Sequence, residues 1–122
     1  MRTINISGKE YPFIFNGMAI EDFGTRCGHD TIQQTFEEFA KIQSLASGSD
    51  MPFEAVALFA RLLHCGITEG ADIQGVPFEL DEKALKRYLC DNPEAIMATL
   101  EAFARDTMGK QAPAKKKPAA KN

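Results

Sequence analysis

The hydrophobic positions of this chain follow two different periods, and the change comes early. Ile4 and Ile6 alternate with Thr3 and Asn5, Ser7-Gly8-Lys9 offers a tight turn, and Tyr11-Pro12-Phe13-Ile14-Phe15 forms a second extended, aromatic run. Two short extended runs flanking a glycine predict a β-hairpin over residues 1–15, because Gly enters the φ > 0 region of a tight turn at little steric cost. From Met18 to Met108 nothing else alternates, and the chain reads as helices joined by short loops. An isolated hairpin is marginal in water, so this one is expected to lie against the helices.

Met18, Ala19, Ile20, Phe23 and Cys27 fall near helical spacing, with Gly28 as the residue after the helix and Gly24 inside it, permitting close approach of a neighbour. Asp30 is the predicted N-cap of a helix over 31–47, with Ile32, Phe36, Phe39, Ala40 and Gln43 on one stripe and Glu37/Lys41 paired on the wetter side. After a break at Gly48-Ser49-Asp50, a third helix begins near Pro52, with Asp50 available as its cap. Its run Val56, Leu58, Phe59, Ala60, Leu62 and Leu63 is apolar nearly all round, which predicts the buried centre of the domain. It is expected to end at Cys65-Gly66, and 67–79 read as an irregular connection. Asp81 caps a short helix reaching Cys90 that buries Ala84, Leu85, Tyr88 and Leu89. Asn92 and Pro93 open the last helix, with Ile96, Met97, Leu100, Phe103 and Ala104 inward and Gly109 at its end.

The expected fold is therefore mainly α: an N-terminal β-hairpin packed on a compact bundle of about five helices. Residues 1–108 form one globular domain, hairpin over 1–15 and helical over 17–108, since 122 residues do not divide into two self-sufficient cores. Residues 109–122 are almost entirely Lys, Ala, Pro, Gly, Gln and Asn. Such a segment cannot offset its ordering entropy of roughly 1–2 kcal/mol per residue, so it reads as a disordered basic tail. The formal charge is −3 and the tail contributes five lysines without an acid, so residues 1–108 carry −8. An acidic body argues against a nucleic-acid-gripping fold surface.

Three widely spaced cysteines, Cys27, Cys65 and Cys90, suit reduced thiols in a cytosol better than a disulfide framework. Residues 1–15 alternate and carry charges, unlike a signal peptide, and no apolar run approaches the ~20 residues of a membrane span. Catalytic chemistry finds little to work with. His64 and Cys65 are adjacent, so on a helix they point about 100° apart and do not pair. Cys27, His29, His64 and Cys65 lack the tight paired spacing of structural zinc sites. The neighbouring carboxylates Glu21/Asp22, Glu37/Glu38 and Asp81/Glu82 read as solvated faces or helix N-termini. The reading is a non-enzyme without metal or cofactor. Nine phenylalanines stand against no tryptophan. Phe13, Phe15, Phe53 and Phe78 sit in the hairpin, at a helix start and in a loop, and are the candidate partner-binding residues.

The opening INISGKEYPFIFNGMAIEDFG resembles the start of the tail assembly chaperones of long-tailed bacteriophages and their prophages. The stretches FARLLHCGITEGADIQGVPFELDEKALKRYL and PEAIMATLEAFARDTMGK, with a Lys-rich end, are similar to that family's later helices. The resemblance implies a non-enzymatic protein of the bacterial host cytoplasm, absent from the mature virion. It would bind the tape measure protein, keep it soluble during tail assembly, and reach the tail tube protein through a longer frameshifted form if one exists. Self-association is also compatible with it. Two other readings stay open: a structural virion component such as a tail or head completion protein, told apart by copurification with particles, and a nucleic-acid-associated protein using its basic tail.

Overall fold

In the computed structural model, the backbone is described for residues 1–46 and 51–121, and the side chains for residues 1–44 and 51–107. The fold is mainly helical, with one N-terminal two-stranded hairpin and five helices among the described residues. Strand β1 (Arg2–Ile6) pairs antiparallel with β2 (Lys9–Phe13) in the register Arg2↔Phe13, Ile4↔Tyr11, Ile6↔Lys9. That register leaves a two-residue turn at Ser7-Gly8, with φ of 55° and 87°; two left-handed residues are what a type I′ hairpin turn requires. Lys9 thus belongs to the strand and not to the turn. The Gly8 N–H donates to Asn5 Oδ1 at 3.0 Å, closing the turn locally.

Helix α1 (Gly17–Arg26) is capped by Asn16, whose Oδ1 accepts from the Ala19 N–H at 3.0 Å. It ends as expected with Gly28 left-handed, the His29 N–H reaching Gly24 O and the Gly28 N–H reaching Thr25 O. Helix α2 (Ile32–Ala46) is capped one residue later than the sequence suggested. Thr31 Oγ1 accepts from the Gln34 N–H, and Gln34 Oε1 accepts from the Thr31 N–H, a reciprocal capping box that replaces Asp30. Its buried stripe is also rotated. Thr35, Phe39 and Ile42 are buried, whereas Ile32, Phe36 and Ala40 face outward. Glu37 and Lys41 are on the exposed side, where the sequence placed them. Gly24 does admit a close neighbour, the Thr35 side chain.

Helix α3 (Phe53–Gln74) is the centre of the fold and packs against β2, α1, α2, α4 (Glu82–Asp91) and α5 (Glu94–Lys121). Pro52 is its extended N-cap; the proposed cap Asp50 lies outside the described residues. The helix does not stop at Gly66 but runs on through Gly70 to Gly75. The two glycines were read as breakers and are instead contact points for the hairpin. A Cβ on Gly70 would stand 2.6 Å from Pro12 O and 2.7 Å from Phe13 Cα; one on Gly66 would stand 2.5 Å from the Phe15 ring. The Ile14 N–H also donates to Gly66 O at 3.1 Å. A helical Gly costs about 1 kcal/mol relative to Ala, and the burial that this close approach allows outweighs it.

Asp81 caps α4 as expected, accepting from the Ala84 N–H at 2.8 Å, with Leu85 and Leu89 buried and Ala84 and Tyr88 half-buried. Asn92 closes α4 by donating to Tyr88 O, and α5 opens at Glu94. On α5, Ala95, Ile96, Thr99, Ala102 and Phe103 are buried; Met97, expected inward, is exposed. The backbone of α5 passes Gly109, where its end was expected, and runs to Lys121. The expectation of a disordered 109–122 falls on residues whose side chains lie outside the described set. The core joins hairpin to helices through Phe15, which meets Phe13 and Phe103 edge-on at 5.7 and 5.4 Å, while Phe103 lies 3.9 Å from Phe39.

Candidate functional site

A network of polar side chains fixes the position of the segment that follows α3. Gly75, left-handed at φ 67°, ends the helix with the Val76 N–H bonded to Ala71 O and the Gly75 N–H to Asp72 O. The chain then turns back along α3, and Leu80 O accepts from His64 Nε2 at 2.8 Å. Arg26 of α1 donates to the other ring nitrogen, Nδ1, also at 2.8 Å, so His64 is the Nε2-protonated tautomer by its partners. Arg26 holds Asp22 through two bonds of 2.8 and 2.9 Å and reaches Glu82 at 3.1 Å; Arg61 reaches the other Glu82 oxygen at 3.2 Å. Burial works against the Arg26 cation, but its hydrogen bonds to Asp22 and Glu82 overcome this and raise its pKa. Phe78 packs 5.0 Å from His64 and 5.4 Å from Tyr11, tying this return segment to the hairpin as well.

Asp22 and Arg26 of this network on α1, and His64 on α3, line an open groove of about 800 Å³ between α1, α3 and the return segment. The apolar part of the groove is Met18, Ala19, Ala71, Val76 and Phe78; Glu21, Asp22, Glu69 and Asp72 supply carboxylates. Met18 is 61% and Val76 41% exposed, large uncovered apolar surface in a concave setting. Asp22 is spent on Arg26, and Glu69 accepts from Asn16 Nδ2 at 2.9 Å. Glu21 and Asp72 are exposed and have no partner among the described residues.

The candidate partner-binding phenylalanines do not come together. Phe13 and Phe15 are corrected to core residues: Phe15 is 1% exposed, wedged between Gly66 and Phe103, and neither ring reaches a partner without opening the fold. Phe53 is 78% exposed at the first turn of α3. At a 1.5 Å rise per residue it lies roughly 15–30 Å from the stretch of α3 that lines the groove. Only Phe78, half-buried, belongs to the groove wall. Met18 was missed because it falls on the polar side of α1, about 140° around the helix from the buried Phe23. Val76 lies in the stretch read as featureless connection. No local signal marks either one.

Two of the three cysteines are disfavoured as thiolates. Cys65 is fully buried, and desolvation pushes its thiol pKa well up against the opposing pull of Arg26. Burial also raises Cys27, against a 3.6 Å hydrogen bond from Arg61. Among the described residues no three His, Cys, Asp or Glu side chains converge as metal ligands. Cys27 engages Arg61, and His29 engages Thr35 and faces Glu38 at 3.7 Å. Among the described residues no helix is long and apolar enough to cross a membrane. Compared with protein-family models, curated proteins and solved structures, the chain matches none of them.

Proposed function

We propose that this protein is a tail assembly chaperone of a long-tailed bacteriophage, a non-enzymatic binder that keeps the tape measure protein soluble in the host cytoplasm. The observation that carries this reading is the open groove with Met18 and Val76 exposed above Phe78. A polypeptide waiting for its assembly partner must hide an apolar stripe, and a concave apolar surface on a small acidic body suits that task. The sequence resemblance points the same way. Binding through the groove is reversible by construction, since an open surface releases its segment when tail tube subunits compete for it.

The test is coexpression with a tape measure fragment that is insoluble alone. The fragment should enter the soluble fraction and copurify with this protein. Met18→Ser/Val76→Ser should abolish the rescue while leaving the thermal unfolding transition in place, since both side chains are exposed. A fragment that stays insoluble with the parent protein, or is rescued equally by the double variant, would overturn the proposal.

A further inference from the structure

Both long walls of the groove are rows of residues spaced by four. Met18, Asp22 and Arg26 run along α1, and His64, Thr68 and Asp72 run along α3. Such rows are the ridges of helix packing, and the trough between two of them seats the ridge of a third helix. The charge of the trough is one-sided. Four carboxylates line it against one guanidinium, Arg26, which is already engaged by Asp22, Glu82 and His64. One uncommitted carboxylate stands on each wall, Glu21 on α1 and Asp72 on α3.

We infer that the occupant of the groove is an amphipathic helix of a partner protein whose apolar stripe is flanked by lysine or arginine. The inference rests on the groove being the binding surface proposed above and adds the chemistry of what it accepts. The apolar stripe lies on Met18, Val76 and Phe78, and the flanking cations meet Glu21 and Asp72. An acidic helix with the same stripe is rejected by charge. Complementary charge at such a rim selects among partners and speeds encounter more than it deepens affinity.

The experiment uses the full chain and two fluorescent peptides of about 18 residues, long enough to hold a helix. They share one leucine stripe and differ only in lysine or glutamate flanks. Fluorescence anisotropy should give the lysine peptide at least ~10-fold tighter binding, about 1.4 kcal/mol. Glu21→Lys/Asp72→Lys should erase that preference, and Met18→Ser should weaken both peptides; circular dichroism confirms that the variants are folded. Equal binding of the two peptides would overturn the charge inference and leave the groove reading standing. Failure of both to bind, or binding untouched by all three substitutions, would remove the groove reading as well. A gain of ~10-fold or more on deleting 110–122 would make this chain's own lysines the resident occupant and overturn the partner-helix inference.

Discussion

Gly70→Ala puts the hairpin–helix contact to a direct test. At an unobstructed helical position, Gly→Ala stabilises by about 1 kcal/mol. Here the new methyl carbon would lie 2.6 Å from Pro12 O and 2.7 Å from both Pro12 C and Phe13 Cα, some 0.8 Å inside the 3.4 Å at which ordinary contact begins. All three neighbours are backbone, so no rotamer change relieves them. The strand must lift, and lifting it strains the Ile14–Gly66 hydrogen bond and the Phe13 and Phe15 packing. Overpacking of this kind costs ~2–3 kcal/mol, so after the helix gain the net loss is about 1–2 kcal/mol. For a domain of this size that is a fall of roughly 5–10 °C in Tm. Calorimetry or circular dichroism melts read it, with Gly17→Ala as control, because a Cβ at Gly17 meets nothing within 4 Å. A Gly70→Ala protein as stable as its parent would refute the claim that the glycine exists to seat the hairpin.

Other expectations follow from single contacts. Asp106→Ala, which leaves the Phe15 N–H without its 3.1 Å acceptor and Arg2 without its ion pair, should cost about 1–3 kcal/mol in denaturant unfolding. Asp106→Asn should cost less, because an amide oxygen still accepts. A thiol reagent should label exposed Cys90 first, Cys27 slowly and Cys65 only on unfolding, as peptide mass mapping over time would show. Because burial raises the Cys65 pKa in the folded state, its contribution to stability is intact below the ordinary value near 9 and declines as pH rises past it. The slope is about 1.4 kcal/mol per pH unit, and Cys65→Ala should flatten it in alkaline denaturation. Deleting 110–122 should shift Tm by no more than a few degrees, since the buried core among the described residues ends at Phe103.

What the sequence revealed and what it hid divide along a physical line. The hairpin, the Asp81 cap, the Gly28 terminus and the central place of the Val56–Leu63 run were legible because short-range chemistry decides them. The length of α3 was not, because a glycine has one identity and two uses: Gly66 and Gly70 look like breakers until the hairpin, fifty residues earlier in the chain, is laid against them. The face of α2 was misjudged for a related reason. Apolar residues outnumber what its buried stripe accepts, so Ile32 and Phe36 were assigned inward while Thr35 took the place opposite Gly24. The groove was least legible of all. Its walls come from residues 18–26, 64–72 and 76–78, and only the packing of α1 on α3 makes them neighbours.

Asp106 on α5 holds the hairpin in place, bonding Arg2 across 104 residues and the Phe15 N–H across 91. In chain order the hairpin precedes every element that holds it in place. Its seat on Gly66 and Gly70 and its latch at Asp106 both follow it in the chain, and so both are made after it. Contacts of such sequence separation form late, since the loop they close must be ordered before they return any stability. A nascent chain halted before Asp106 should accordingly show hairpin amides open to hydrogen exchange that the finished protein shields. The distant contacts of residues 1–15, more than their local preferences, therefore govern when the hairpin becomes protected.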